Sequence, residues 1–291
     1  MFRDRDDDPP LEAAIVFNPR AARAERWRET LRSGLARLGV RRWCETEGPG
    51  HACELARTAA SDGVGLILAG GGDGTVHEIA NGLLGTRVAF FPLPLGTGND
   101  VVRSLGLPLS VPAALDGLAH RRTRPLDAAR INGSEIFVNA AGFGFDAEVA
   151  RRRTGRSYTR AVLRTFLSYE PVEIDVAGSD TRFHGRALSV SIANGSCVGG
   201  GYRIAPEADP SDGRLDICIF DPVGPVRFVR WFAKVRRGRH GDLPVFHTWR
   251  DTRVTLRGDS LAAHLDGEVR AYPTAGEVTI EVLPGALRVW A

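Results

Sequence analysis

Over the first third of the chain, short apolar runs alternate with longer stretches in which apolar residues recur every three or four positions. Residues 13–17, Ala-Ala-Ile-Val-Phe, form the first run; 40–45, 64–69 and 88–91 follow. Runs this short and this apolar predict strands buried on both faces, as in a parallel sheet. Between them, Ala22, Trp27, Leu31, Leu35 and Leu38 lead up to Gly39, and Leu55, Ala56, Ala59 and Ala60 share one side of a segment opened by residues 46–52. Both patterns predict amphipathic helices. The order through residue 107 is therefore βαβαβαβα, which implies a doubly wound sheet with right-handed crossovers.

Near Pro125 the pattern changes to strand after strand. Residues 126–131 and 135–141 flank Asn132-Gly133-Ser134, a hairpin signal. Further strands are expected at 171–176, 186–193, 215–220, 252–256, 262–265, 269–272 and 278–283, spacing that predicts an antiparallel sandwich. The expected organisation is two domains, an α/β domain over 11–124 and a β-sandwich over 125–291, joined near 120–126. The last strand, about 284–291, is expected to return to the first domain.

At 291 residues with 43% hydrophobic content, the chain can support a full core. A net charge of +3 is too small to imply nucleic acid. No apolar run reaches the roughly 18 to 20 residues of a membrane span, and the acidic start Met1 to Asp8 does not fit a signal peptide. A cytoplasmic location follows, with residues 1–10 frayed. Cys44, Cys53, Cys197 and Cys218 show no paired spacing and are read as reduced thiols.

The chemistry concentrates where the strands end. The run 64–69 leads into Gly70-Gly71-Gly72-Asp73-Gly74-Thr75, and bare glycines let backbone N–H groups close on an anion. Thr75 and Glu78 form a capping-box pattern ahead of Ile79, Leu83 and Leu84, so a helix N-terminus that favours phosphate should follow. Asp73 would repel phosphate unless a divalent cation lay between them, which points to a magnesium nucleotide. A second loop, Pro94-Leu95-Gly96-Thr97-Gly98-Asn99-Asp100, repeats the arrangement with Asn99 or Asp100 as helix cap. Two such loops at consecutive strand ends should lie side by side, where open sheets bind ligands.

Gly71-Gly72-Asp73-Gly74-Thr75 together with the second loop resembles the diacylglycerol kinase catalytic family, which includes bacterial soluble lipid kinases and the sphingosine and ceramide kinases. The glycine turn alone is shared with NAD kinases and phosphofructokinases. The resemblance spans nearly the whole chain and implies an ATP- and Mg²⁺-dependent kinase of a lipid hydroxyl, most readily that of diacylglycerol. A sphingoid base, a soluble acceptor such as NAD, or a catalytically silent lipid-binding scaffold are the alternatives. It also implies nucleotide contacts from Asn18, Pro19, Arg20, Thr46, Gly70 to Thr75, Thr97, Gly98 and Asn99.

Three later segments carry further expectations. Asp209-Pro210-Ser211-Asp212-Gly213-Arg214 places carboxylates around a glycine turn, and the resemblance implies a structural magnesium on Asp209, Asp212 and the Arg214 carbonyl. His264-Leu265-Asp266-Gly267-Glu268 is first a two-residue hairpin. The resemblance places its carboxylates near the γ-phosphate, with Glu268 as base and Asp266 beside it, in either order. His264 itself is read as a surface residue. Gly142-Phe143-Gly144-Phe145-Asp146 and Gly199-Gly200-Gly201-Tyr202 also match the family, and physically each allows a close backbone approach.

Basic residues cluster at Arg151, Arg152, Arg153, Arg156, Arg160 and Arg164, and at Arg227, Arg230, Lys234, Arg236, Arg237 and Arg239. In the second cluster Val226, Val229, Phe232 and Ala233 form an apolar side, with Trp231 beside them. Such a helix would rest on an anionic bilayer, making the protein peripheral at the inner membrane face. The sequence leaves a homodimer open.

Overall fold

The computed structural model describes residues 12–152, 158–258, 262–271 and 276–291. The expected frayed start, Arg153, Arg156 and the strand end at Tyr272 lie outside the described residues. The chain divides into two compact units, Met1–Asp127 with Gly285–Ala291, and Ala128–Pro284.

The first unit runs β1 (Ala13–Phe17), α1 (Ala24–Arg37), β2 (Arg42–Glu45), α2 (His51–Ser61), β3 (Leu66–Gly71), α3 (Asp73–Leu83), β4 (Ala89–Pro94), α4 (Asp100–Ser104) and α5 (Val111–Leu118). The strands pair in the order β2-β1-β3-β4, all parallel. Every residue of β1, β3 and β4 is buried. Ile15, Phe17, Leu68 and Phe91 on one face pack with Leu31 and Leu35 of α1 and Val111 and Leu118 of α5, while α2 contacts β1 and α3 contacts β3. Helix α5 was not expected from the apolar pattern. Its signal is local: Ser110 accepts the Ala113 N–H at 3.4 Å, and Pro112 sits in the first turn.

The second unit contains the end of β5 (Thr123–Ile131), then β6 (Glu135–Phe137), β7 (Ala140–Gly144), α6 (Phe145–Arg152), α7 (Tyr158–Phe166), β8 (Val172–Ala177), β9 (Arg182–Ala187), β10 (Ser189–Ala193), β11 (Leu215–Phe220), α8 (Pro225–Arg236), β12 (Phe246–Asp251), β13 (Arg253–Gly258), β14 (Ala262–Leu265), β15 (Glu268–Ala271) and β16 (Gly276–Trp290). One antiparallel sheet has the order β12-β11-β10-β7-β14-β15, and in the other β16, β13, β8 and β9 follow one another. Phe143, Ile192, Ile217 and Leu265 from the first sheet meet Ile174, Leu256 and Ile280 from the second. That is the β-sandwich anticipated from the strand spacing. The end of β16 belongs to the first unit, where Arg288 and Val289 pair with Ala89 and Phe90 in parallel.

Two expected strands are each broken in two. The run 135–141 splits at Val138 and Asn139, whose N–H groups donate to Asp266 instead of a ladder. The run 186–193 splits at Leu188, which bonds Phe220 and Phe145 through its backbone. Asn132 and Gly133 both adopt positive φ, 47° and 71°, as a two-residue hairpin turn between β5 and β6 requires. Helices α6 and α7 and strand β12 were not anticipated. The first two lie where the sequence reads chiefly as a basic cluster.

Candidate active site

In the first unit the glycine loops come together as the parallel order demands. Gly70 and Gly71 belong to β3 and pair with Leu93 and Pro94 of β4, so the strand runs two residues further than its apolar run. Gly72 and Gly96 then touch: a Cβ on Gly96 would stand 2.6 Å from the Gly72 Cα. Any side chain at either position would push the loops apart. Helix α3 begins at Asp73, with Gly72 as a cap that offers no side-chain acceptor. The first-turn N–H groups of α3 therefore lack a side-chain cap, which is what an anion site at a helix N-terminus needs.

The side chains around this turn are tied to one another. Asn18, at the end of β1, donates from Nδ2 to Thr75 Oγ1 at 3.0 Å, and its Oδ1 accepts the Arg20 N–H at 2.9 Å. Asn99 has φ 55° and clamps its own loop, accepting from the Gly96 N–H and donating to the Gly96 carbonyl. Asp73 Oδ1 accepts the Val101 N–H at 3.2 Å, so it caps α4 and links the two loops. Thr46 is buried, and its N–H bonds the Phe17 carbonyl. Thr97 is exposed at the loop tip, and Gly98 is buried. Pro19 is half-buried and Arg20 exposed.

The capping box expected of Thr75 and Glu78 does not form. Glu78 instead accepts the Gly50 and Ala52 N–H groups at 2.8 and 3.1 Å, capping α2. Helix α2 starts at a glycine with no cap of its own. Gly82 lets α3 approach it closely, since a Cβ there would meet the Cys53 carbonyl at 2.5 Å. A neighbouring helix thus supplies the donors to Glu78 in place of its own first turn.

In the second unit the hairpin carboxylates separate into two kinds. Asp266 is buried, with φ 51°, and its oxygens accept the N–H groups of Val138, Asn139 and Ala140 at 3.0, 2.8 and 3.1 Å. These three donors hold the turn. Glu268 is exposed at the start of β15, and its carboxylate has no hydrogen bond or ion pair among the described residues.

His264 is not a surface residue; it is 6% exposed. Ser191, Gly142 and His264 stand opposite one another across β10, β7 and β14. The central glycine leaves a gap filled by the Asp146 carboxylate from α6, and a Cβ on Gly142 would collide with His264 Nε2. Asp146 accepts from Tyr158 at 3.0 Å and Ser191 at 3.4 Å, and His264 Nε2 lies 3.2 Å away. Burial pushes the Asp146 carboxyl up, but His264, Tyr158 and Ser191 together hold it below the usual carboxylate range. A Cβ on Gly199, φ 60°, would run into the Tyr158 ring, so both glycine segments noted in the sequence serve this one cluster.

Beside Asp146 lies a cavity of about 100 Å³ walled by Phe145, Val162, Phe228, Trp231 and Phe232. Helices α7 and α8 cover it, stacked through Phe166 and Phe228 with ring centroids 3.7 Å apart. The inward face of α8 is Phe228, Phe232 and Val235; of the apolar side expected to rest on a bilayer, Val226 and Val229 are 82% and 63% exposed, while Phe232 turns to the cavity. Arg230 and Arg237 of that segment are exposed with no carboxylate partner among the described residues, whereas Arg151 and Arg152 pair with Glu148.

In the acidic turn, Asp209 Oδ1 accepts the Ser211 N–H and hydroxyl, and Asp212 Oδ1 accepts the Arg214 N–H. The positive charge beside them is Arg250, 3.2 Å from Asp216 and 3.8 Å from Asp212. Among the described residues no three acidic, histidine or cysteine side chains gather as metal ligands. The four cysteines are free, and among the described residues no helix is long and apolar enough to cross a membrane.

The diacylglycerol kinase catalytic domain profile matches residues 12–131, and that of the YegS C-terminal NAD kinase beta sandwich-like domain matches 139–291. A Pseudomonas aeruginosa protein named probable lipid kinase YegS-like is 32% identical over 82% of this chain and 81% of its own. A Salmonella arizonae protein named probable lipid kinase YegS is 30% identical over 95% of each chain. Among solved structures, a diacylglycerol kinase from Bacillus anthracis superposes with a TM-score of 0.74 at 21% identity, covering 96% of both chains. A second structure from that organism reaches 0.81 at 24% identity over 96% of this chain and 97% of its own.

Proposed function

The chain belongs to the YegS-like lipid kinase family, built on a diacylglycerol kinase catalytic domain, and is a phosphotransferase with an alcohol acceptor; from this premise we propose that it transfers the γ-phosphate of ATP to a lipid hydroxyl, diacylglycerol foremost. The observation that carries the choice of acceptor is the apolar cavity in the second unit, lined almost throughout by aliphatic and aromatic side chains. A soluble acceptor such as NAD would need polar groups in their place. Val226, Val229 and the unpaired Arg230 and Arg237 of α8 support docking on an anionic membrane surface.

In this reading the α3 N-terminus and the touching loops at Gly72 and Gly96 bind the triphosphate. Asn18, Thr75 and Asn99 hold those loops in shape. Asp73, fixed by the Val101 N–H, would hold the Mg²⁺ of the nucleotide, which neutralises charge on the transferring phosphoryl group. Glu268, exposed and unpaired, is the group that orients the acceptor hydroxyl and takes its proton. Asp266 builds the turn that presents it. The Asp209 turn is self-satisfied, with Arg250 beside it, so no step is assigned to a cation there.

The test is a panel of diacylglycerol, sphingoid base, phosphatidylglycerol, polyprenol and NAD with ATP, read by mass spectrometry. A phosphorylated lipid is expected. Phosphorylation of NAD alone would replace the lipid reading with that of a soluble acceptor, and no product at all would favour a silent lipid-binding scaffold.

A further inference from the structure

His264 makes two directed contacts that no role so far explains. Its Nδ1 accepts the Gly267 N–H at 3.3 Å, so that nitrogen carries no proton. The ring proton then sits on Nε2, 3.2 Å from Asp146 Oδ2. One hydrogen-bonded chain therefore runs from Tyr158 through Asp146 and His264 to the central glycine of the turn that presents Glu268. Both central residues of the turn have the positive φ a two-residue hairpin requires, 51° at Asp266 and 91° at Gly267, and Gly267 is exposed. Asp266 is fixed by three backbone donors, but the second half of the turn, next to Glu268, has His264 as its side-chain tether.

Building on the kinase reading, we propose that His264 is a positioning residue for phosphoryl transfer: anchored by Asp146 at the wall of the apolar cavity, it fixes the Gly267 amide and so the direction in which Glu268 leaves the turn. The cavity and the base are thereby held in one frame. Gly142 is the sequence trace of the arrangement, because any larger residue would occupy the place where His264 and Asp146 meet.

Two substitutions divide the two bonds. The amide oxygen of Asn in His264→Asn falls where Nδ1 stands and can accept the Gly267 N–H without reaching Asp146. The longer side chain in His264→Gln reaches Asp146 but withdraws the acceptor from Gly267. His264→Phe keeps the ring volume and loses both. With the full-length protein and whichever lipid the wild type phosphorylates, His264→Gln and His264→Phe are expected to lower kcat roughly tenfold, the worth of one hydrogen bond, with KM for ATP unchanged. His264→Asn is expected to stay within about threefold of wild type. Hydrogen exchange at Gly267 should quicken in the Gln and Phe variants and stay slow in Asn.

Equal kcat and equal exchange across all three variants would overturn the proposal, as would an Asn variant as impaired as Phe. If the wild type phosphorylates no lipid, the kinase reading fails on its own. The exchange pattern then still decides whether His264 holds the turn, with protection kept only in Asn supporting it and uniform protection refuting it.

Discussion

Exchanging the two hairpin carboxylates for amides separates the residue that builds the turn from the one assigned to the proton. Asp266→Asn keeps a residue that tolerates φ 51°, so backbone strain is constant and the change falls on the hydrogen bonds. The Asn oxygen can still accept from Asn139 and Ala140 at the place of Oδ1. Its NH₂ group then faces the Val138 N–H, which lies 3.0 Å from Oδ2 in the native protein. One charge-assisted bond becomes a donor facing a donor, at about 1.5–3 kcal/mol, and the two remaining bonds weaken as the charge is lost. A total of about 2–4 kcal/mol is expected, or roughly 5–15 °C in the melting temperature of a unit this size. Glu268→Gln touches nothing, so its stability should stay within about 0.5 kcal/mol of wild type. Its turnover should fall about 10²- to 10⁴-fold with loss of the general base. Calorimetric melts and initial rates on the same preparations read both quantities. The reasoning is refuted if Asp266→Asn melts like wild type and abolishes turnover while Glu268→Gln keeps it.

Three further outcomes follow from the structure. Glu78→Ala removes the acceptor for two N–H groups at the start of α2 and should destabilise the protein by about 1–2 kcal/mol in urea unfolding; no loss would mean that water caps α2 equally well. Replacing the exposed Val226 and Val229 by Asp should reduce flotation with anionic vesicles while the melting temperature stays put, since neither side chain is buried; unchanged flotation would remove α8 from the membrane face. Burial pushes the Cys218 thiol up to about 12. It should therefore resist alkylation of the native protein at pH 8, where half-buried Cys44 is modified first; rapid labelling of Cys218 would show that β11 opens readily.

Features governed by neighbours in sequence were legible before any coordinates. The apolar runs of β1, β3 and β4 reflect burial on both faces, and the Asn132-Gly133 turn has the positive φ values its residues favour. What escaped is decided by partners far along the chain. Glu78 sits at capping-box spacing from Thr75, yet its donors come from residues 50 and 52. His264 looked like a hairpin surface residue because Asp146 and Ser191 are distant in sequence, although the unexplained Gly142 was the trace of their meeting. On α8 the apolar side with Val226, Val229 and Phe232 was legible, but not that Phe232 and Phe228 line a cavity whose other walls come from distant parts of the chain.

The central claim is phosphoryl transfer from ATP to a lipid hydroxyl. It is tested most directly by incubating the protein with γ-labelled ATP, Mg²⁺ and mixed lipid vesicles, and following label in the extracted lipid for wild type, Asp73→Ala and Glu268→Ala. Label in the wild-type lipid fraction that is lost in both variants is the predicted result. An unlabelled lipid fraction from folded wild-type protein, or equal labelling by all three, would contradict it.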